Sequence, residues 1–309
     1  MFSKKIKWFR RGAFFLFLIL GIMFFWFFGV RATASFRKVS VEQSSGKPKR
    51  EIGETLRIGA FNIAHGRGAV VGASNWGNEA DRGERLERIG QLLRSHHLDL
   101  VILNEVDFDC SWSGRVDQAS IIAREWGEGS IVRQRNYDTG LPFCSLAFGN
   151  AILSRFDVRA ASPVLYPAVK WWEPLVFGRK DGVSTSLVQD EIDLKVVAVH
   201  LETRDQKVRC ASLQTLLDRT EGSEILAGDF NATWSAGEES AIEMLRQDGR
   251  WQPAGGWEGD DAQKTFPALE PNRRIDWIFV PTSWKEVQVE VIPTELSDHA
   301  LVISEWRVE

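Results

Sequence analysis

Six short segments carry side chains of the kind that bind hard cations or move protons. They are Phe61-Asn62-Ile63, Asn104-Glu105-Val106-Asp107, Val199-His200-Leu201-Glu202, Gly228-Asp229-Phe230-Asn231, Arg274-Ile275-Asp276-Trp277 and Ser297-Asp298-His299. Taken singly, each has an ordinary structural explanation. A Glu after a strand is usually solvated or a cap, a lone histidine is usually a hydrogen-bonded structural group, and Gly-Asp-Phe-Asn has the composition of a turn. Together they offer carboxylate and amide oxygens beside two histidines. A hard divalent cation takes one or two carboxylates and keeps waters for its substrate. A carboxylate can also orient and deprotonate water, and a histidine can donate hydrogen bonds to oxygens on which charge builds. That combination suits metal-assisted hydrolysis of a phosphoester. Spacing alone does not separate base from ligand.

Most of these segments follow apolar runs. Leu56 to Ile63, Leu98 to Leu103, Ala147 to Leu153, Leu194 to Leu201, Glu224 to Ala227, Ile275 to Val280, Val287 to Ile292 and Leu301 to Trp306 read as strands. Leu86, Ile89, Leu92 and Leu93, and again Val208, Leu213, Leu216 and Leu217, recur at helical spacing. The glycine-rich stretch from Gly66 to Gly83 reads as a loop. One α/β domain with two packed sheets is the simplest arrangement. It puts the polar groups at strand ends, where α/β folds place ligand sites.

In this order the six segments resemble the endonuclease/exonuclease/phosphatase superfamily, and Gly149-Asn150-Ala151-Ile152-Leu153-Ser154-Arg155 adds a seventh match. The group includes pancreatic deoxyribonuclease, abasic-site endonucleases, tyrosyl-DNA phosphodiesterases, neutral sphingomyelinases and inositol polyphosphate phosphatases. The resemblance runs from about Leu56 to the C-terminus. It implies a four-layer α/β/β/α sandwich with two packed mixed sheets. It also implies roles: Glu105 as primary Mg²⁺ ligand (Mn²⁺ being the alternative ion), Asn62 as a neutral amide beside it, and Asp298 near the same metal. Asp229 would activate water with Asn231 fixing its geometry, His200 and His299 would donate to the phosphoryl oxygens, and Asp276 would orient His299. Some nucleases of the group carry an acid where this chain has Ala64, and neither Tyr137 nor Tyr166 matches the active-site tyrosine of the abasic-site enzymes. Both departures weigh against DNA repair. His65 reads as an exposed loop histidine, and Glu202 and Thr203 as helix caps.

The N-terminus has a different character. Lys4, Lys5, Lys7, Arg10 and Arg11 precede an uncharged run from Ala13 to Val30, near the ~17–25 residues that span a bilayer. Residues 1–34 are therefore expected to be a membrane anchor with a cytoplasmic N-terminus. The alternative is a signal segment cleaved near Ala32-Thr33-Ala34, with secretion of the remainder. Residues 35–54 read as a basic polar linker and residues 55–309 as the catalytic domain, which this orientation places outside the cytoplasm. Residues 51–309 hold 27 Lys and Arg against 41 Asp and Glu, a formal charge of −14. Such a domain repels polyanions at long range, which weighs against a protein that coats nucleic acid. Cys110, Cys144 and Cys210 show no metal-ligand spacing. Trp171-Trp172 is expected in the core, the alternative being a membrane contact.

The expected activity is hydrolysis of a phosphoester, foremost a phosphodiester of a lipid headgroup or small molecule. The rivals are an extracytoplasmic DNA or RNA nuclease and a tethered module that binds without catalysis. A basic rim of Arg67, Arg82, Arg133 and Arg135 would favour the nuclease, and an apolar rim the lipid.

Overall fold

Short buried runs rich in Val, Ile and Leu, joined by turn residues, become strands, and the two runs of helical period become helices. The structure, a computed structural model, describes residues 2–36, 38–44, 55–69, 79–127, 129–141, 144–176, 178–189, 192–235, 239–258 and 261–308. In chain order the elements are α1 (Phe2–Phe36), β1 (Val39–Glu42), β2 (Thr55–Asn62), α2 (Glu79–Ser95), β3 (Leu100–Cys110), α3 (Gln118–Trp126), β4 (Ser130–Leu141), β5 (Cys144–Ser154), β6 (Asp157–Val164), α4 (Glu173–Val176), β7 (Gly182–Gln189), β8 (Ile192–His200), α5 (Gln206–Leu217), β9 (Glu224–Asp229), α6 (Ala241–Asp248), β10 (Trp251–Pro253), β11 (Asp276–Pro281), β12 (Lys285–Ile292) and β13 (Leu301–Arg307).

The strands form two mixed sheets, ordered β1-β4-β5-β3-β2-β13-β12 and β10-β11-β9-β8-β7-β6. Leu56, Ile58, Leu100 and Ile102 of the first sheet meet Val183, Val196, Ile225 and Ile278 of the second in the core between them. Leu86, Ile89 and Leu93 of α2 and Ile122 and Trp126 of α3 cover the outer face of the first sheet over Phe61, Val101 and Leu103. Leu213 and Leu216 of α5 and Ile242 and Leu245 of α6 cover the second over Val197, Val199 and Leu226. Each of these four helices buries one apolar stripe, and the central strands are covered on both faces, which is why they read as continuous rather than alternating runs.

Two parallel pairs set the register at one end of the molecule. β2 beside β3 puts Asn62 opposite Asn104, and β8 beside β9 puts His200 opposite Asp229. Antiparallel pairing of β9 with β11 puts Asp276 opposite Asp229.

The N-terminal region departs from expectation. Val39–Glu42, read as linker, is the edge strand β1 on β4; Val39 packs on the inter-sheet core, and Arg133 binds Glu42 at 2.8 Å. An open β4 edge needs partners for its backbone groups, and a Val-Ser-Val run can supply them. Residues 45–54 of the predicted linker lie outside the described residues, as do 70–78 of the predicted loop. The run Ala13–Val30 lies in α1, where Phe14–Leu20 and Ile22–Trp26 are exposed. Among the described residues no helix is long and apolar enough to cross a membrane, so the expected spanning segment is not met there. The described side chains of α1 are Trp8 and residues 10–26.

Candidate active site

The strand ends named above bring the predicted polar groups together, and two backbone irregularities let them approach. In β3 the residues Asn104 and Glu105 together oppose Asn150 of β5, a bulge between the pairs Leu103–Ala151 and Val106–Gly149. Glu105 takes φ +53° there, a left-handed conformation that costs a non-glycine residue energy and re-aims its side chain. At Gly228, φ is +135°, and a Cβ would sit 2.1 Å from Val199 O and 2.8 Å from Asn104 Oδ1. Only glycine lets β9 pass this close, and the approach is used. Buried Asn104 accepts from Asp229 N at 2.9 Å and donates to Val199 O at 3.1 Å and to Asn150 Oδ1 at 2.9 Å, stitching the two sheets under the site.

Asp229 is held by amides. Asn231 donates to it through its backbone N at 2.8 Å and its Nδ2 at 3.0 Å, and Asn62 Nδ2 donates at 3.1 Å. Asn231 stands at φ +48°, as the αL tolerance of Asn allows. Burial, then the neighbouring Asp276, pushes the Asp229 carboxyl up to about 6. Asn62 Oδ1 accepts from Ala64 N at 3.0 Å, so Asn62 clamps the loop and Asp229, and its amide oxygen keeps a second lone pair for the metal-side role expected of it.

His299 Nδ1 lies 2.8 Å from Asp276 Oδ2, and Thr265 Oγ1 donates to the same oxygen at 2.6 Å. Ser297 Oγ accepts from His299 N at 3.2 Å and donates to Asn62 O at 2.6 Å, which ties this segment to β2. Burial opposes a charge on His299, but Asp276, then Asp229 and Asp298, outweigh it and raise the ring to about 10. These neighbours favour the charged ring, with Nδ1 as the donor to Asp276. Asp229, Asp276 and His299 form a group whose oxygen and nitrogen atoms lie within 4.8 Å of one another.

The donor set beside Glu105 fits a divalent cation better. Burial works against the charged carboxylate, yet His65, His200 and Lys180 hold its pKa well below the ordinary range, so Glu105 is ionised. Buried Asp298 Oδ1 has no hydrogen-bond partner. Burial first, then Glu105, raises the Asp298 carboxyl against the pull of His299. Two carboxylates that disfavour each other, one with an orphaned oxygen, form an arrangement that a hard cation relieves.

His65, expected in an exposed loop, lies in the site at φ +55°. Its Nδ1 is 2.6 Å from buried Asp107 Oδ1 and its Nε2 is 3.5 Å from Glu105 Oε2. Burial opposes its charge, but Asp107 and Glu105 raise its pKa. Two sequence features point to it: His65 follows Ala64, where the superfamily's extra acid would stand, and Asp107 belongs to the segment Asn104-Glu105-Val106-Asp107.

His200 is buried with Nε2 2.7 Å from Lys180 Nζ, and burial, then Lys180, holds its pKa well below the ordinary value. It was expected to donate toward substrate. His200 and Glu105 line a cavity of about 340 Å³ together with Phe148, Val169, Lys180, Glu202 and Arg204. Lys180, Asn104 and Thr265 carry no sequence signal of their own, yet Asn104 holds Asp229 and Thr265 holds Asp276. The cap of α5 is Asp205, whose side chain accepts from Lys207 N and Val208 N; Glu202 instead accepts from Arg204 N at 3.0 Å and Nε at 2.9 Å, and Thr203 Oγ1 from Lys180, so neither has the capping role expected. Trp171 is 84% exposed, against the expectation of core packing.

The profile of the Endonuclease/Exonuclease/phosphatase family matches residues 59–299. A search of curated proteins returned no significant match. Among solved structures, an endonuclease/exonuclease/phosphatase from Beutenbergia cavernae DSM 12333 superposes with a TM-score of 0.60 at 21% identity, over 82% of this chain and 72% of that one. The mannosyl-6-phosphatase Bt3783 of Bacteroides thetaiotaomicron VPI-5482 gives 0.59 at 17% identity, over 81% and 99%. A D. rerio TDP2 humanized by 14 mutations gives 0.58 at 15% identity, over 83% and 100%. At these identities the likeness speaks for the fold.

Proposed function

Since the chain belongs to the endonuclease/exonuclease/phosphatase family, we propose that it is a divalent-metal-dependent hydrolase, foremost of a phosphodiester in a lipid headgroup or small molecule, tethered to a membrane by its N-terminus. The observation that carries the catalytic reading is the strand register that gathers Asn62, His200, Asp229 and Asp276 at one end, with Glu105 and His200 at the wall of a cavity.

Glu105 and Asp298 would hold the cation, Mg²⁺ in the first instance and Mn²⁺ as the alternative. When bound, it supplies positive charge that offsets the charge gathering on the phosphoryl group. Asp229 takes the proton of the attacking water; its raised pKa places it close to the operating pH, where a base is most effective. Asn231 and Asn62 fix the direction of that carboxylate. His299 donates from Nε2 to a phosphoryl oxygen, with Asp276 holding its tautomer and charge.

The substrate preference rests on the rim. Buried Arg82 donates to Trp112 O, Arg133 binds Asp117 and Glu42, Arg135 pairs with Asp138, and Arg67 donates to Ala64 O. The arginines that a nucleic-acid groove would use are thus engaged inside the protein. Exposed Trp171 follows the cavity residues Ala168 and Val169, which supports contact with a lipid interface. We further propose that the apolar run of α1 is a single-pass anchor with residues 55–309 outside the cytoplasm. Protease digestion of the domain in intact cells tests this; digestion only after permeabilisation reverses the orientation.

The activity test uses the purified full chain in detergent with Mg²⁺ or Mn²⁺, against phospholipid, sphingolipid, inositol phosphate, sugar phosphate, DNA and RNA. Product release that a chelator abolishes and Asp229→Ala lacks is expected, with a lipid or small phosphoester responding first. Turnover of DNA or RNA alone would replace the substrate reading, and silence across the panel would overturn the catalytic one.

A further inference from the structure

His200 Nε2 is a vertex shared by three groups. It lies 2.7 Å from Lys180 Nζ, 3.8 Å from Glu105 Oε1 and 3.8 Å from Asp229 Oδ2. An ammonium group has donors only, so Nε2 accepts from Lys180 and the proton of the ring sits on Nδ1, which is buried without a partner. In that tautomer His200 offers no N–H to the cavity. Lys180 lines the same cavity as His200 and Glu105.

Three further observations make Lys180 a ligand-binding cation rather than a surface charge. Its Nζ also donates to Thr203 Oγ1 at 2.9 Å, so the ammonium is held from two sides by neutral atoms. The other cations of the cavity wall are matched: Arg179 pairs with Asp181 at 2.8 Å, and Arg204 with Glu202 and Glu173 at 2.9 and 3.1 Å. Among the described residues no carboxylate oxygen lies within 4 Å of Lys180 Nζ. Finally, its backbone is pinned on both sides. Arg179 N donates to Asn136 O at 3.3 Å. Buried Asp181 donates from its N to Asn136 Oδ1 at 2.8 Å and accepts at its O from Asn150 Nδ2 at 2.8 Å, while its carboxylate takes Tyr166 N at 2.8 Å. A cation whose neighbours are fixed this firmly is preorganised to meet an anion without rearrangement.

We propose that Lys180 is a catalytic residue that contacts a non-bridging oxygen of the phosphoryl group, and that His200 is a positioning residue acting through it. The assignment rests on the phosphoester reading of the site, but it concerns anion binding and is separable from turnover. Inorganic phosphate is titrated calorimetrically into the full chain in detergent with Mg²⁺, for the wild type, Lys180→Met and Lys180→Arg, with thermal unfolding as the folding control. In parallel, kcat and KM are measured for bis(p-nitrophenyl) phosphate. Loss of one charge-assisted contact should weaken phosphate binding by roughly tenfold to a hundredfold in Lys180→Met. Lys180→Arg should restore most of it, and unfolding should be unchanged in both. Wild-type phosphate affinity in Lys180→Met, or no phosphate binding by the wild type, overturns the assignment. Phosphate binding that depends on Lys180 in a protein that hydrolyses nothing in the panel would refute the catalytic reading and leave Lys180 as an anion site.

Discussion

Asp276→Asn removes one charge from the centre of the site while keeping its shape. Asp276 Oδ2 accepts from His299 Nδ1 at 2.8 Å and from Thr265 Oγ1 at 2.6 Å, and an amide oxygen can accept both. The charge is what changes. His299 stands at about 10 against an ordinary 6.5, a preference for the imidazolium on the order of 5 kcal/mol. Burial opposes that preference and Asp276 is the largest contribution in its favour, so the variant's ring should titrate below neutrality. The sign follows from linkage: a raised histidine contributes stability that is complete below pH 6.5 and is lost as pH rises through about 10. In Asp276→Asn that contribution disappears, so the variant's stability loss relative to wild type should be greatest below about pH 6.5 and shrink as pH rises toward 10. Asp229 moves as well, because Asp276 is the charge that, after burial, holds it near 6; its titration should fall. Both limbs of the pH–rate profile therefore shift to acid. Turnover of bis(p-nitrophenyl) phosphate at pH 8 should drop by about 10²–10³-fold and recover partly near pH 5.5. Stopped assays across pH 4.5–9.5, with thermal unfolding in the same buffers, read both effects. A uniform loss at every pH, with neither limb displaced, would refute the charge-holding role and leave Asp276 as a purely steric support.

Gly228→Ala should destabilise the protein by more than about 3 kcal/mol, since its Cβ would meet Val199 O at 2.1 Å; chemical denaturation checks it, and a loss under about 1 kcal/mol would contradict the packing. Glu105→Gln should raise the Mg²⁺ concentration for half-maximal activity by about tenfold or more, and an unchanged titration curve would put the ligand elsewhere. Trp171→Ser, at an 84% exposed side chain, should change stability by less than about 0.5 kcal/mol yet reduce turnover of vesicle-borne phospholipid several-fold while sparing bis(p-nitrophenyl) phosphate. Equal effects on both substrates would count against the interface.

The candidate site residues are legible because each stands beside a strand of recognisable composition. Gly228-Asp229-Phe230-Asn231 and Ser297-Asp298-His299 carried their order along the chain, and the buried strands announced themselves as continuous apolar runs. The residues that hold them are not. Asn104 reads like any polar residue at a strand end, yet it bridges both sheets; Thr265 lies eleven residues from Asp276 with no motif around it. The edge strand β1 was invisible because its partner β4 lies some ninety residues away, and Trp171 was assigned to the core on composition where the fold leaves it in solvent. His200 shows the division most plainly. Its type and its place after a strand are sequence properties and suggest a donor. Whether its Nε2 gives or accepts a proton depends on Lys180, which a different strand connection delivers to 2.7 Å. Local sequence determines which groups are available and which strand carries them. Register between strands, the bulge at Glu105 and the close passage at Gly228 decide which groups share a proton or a charge, because those interactions fall off within a few ångströms and only the packed sheets set distances that small.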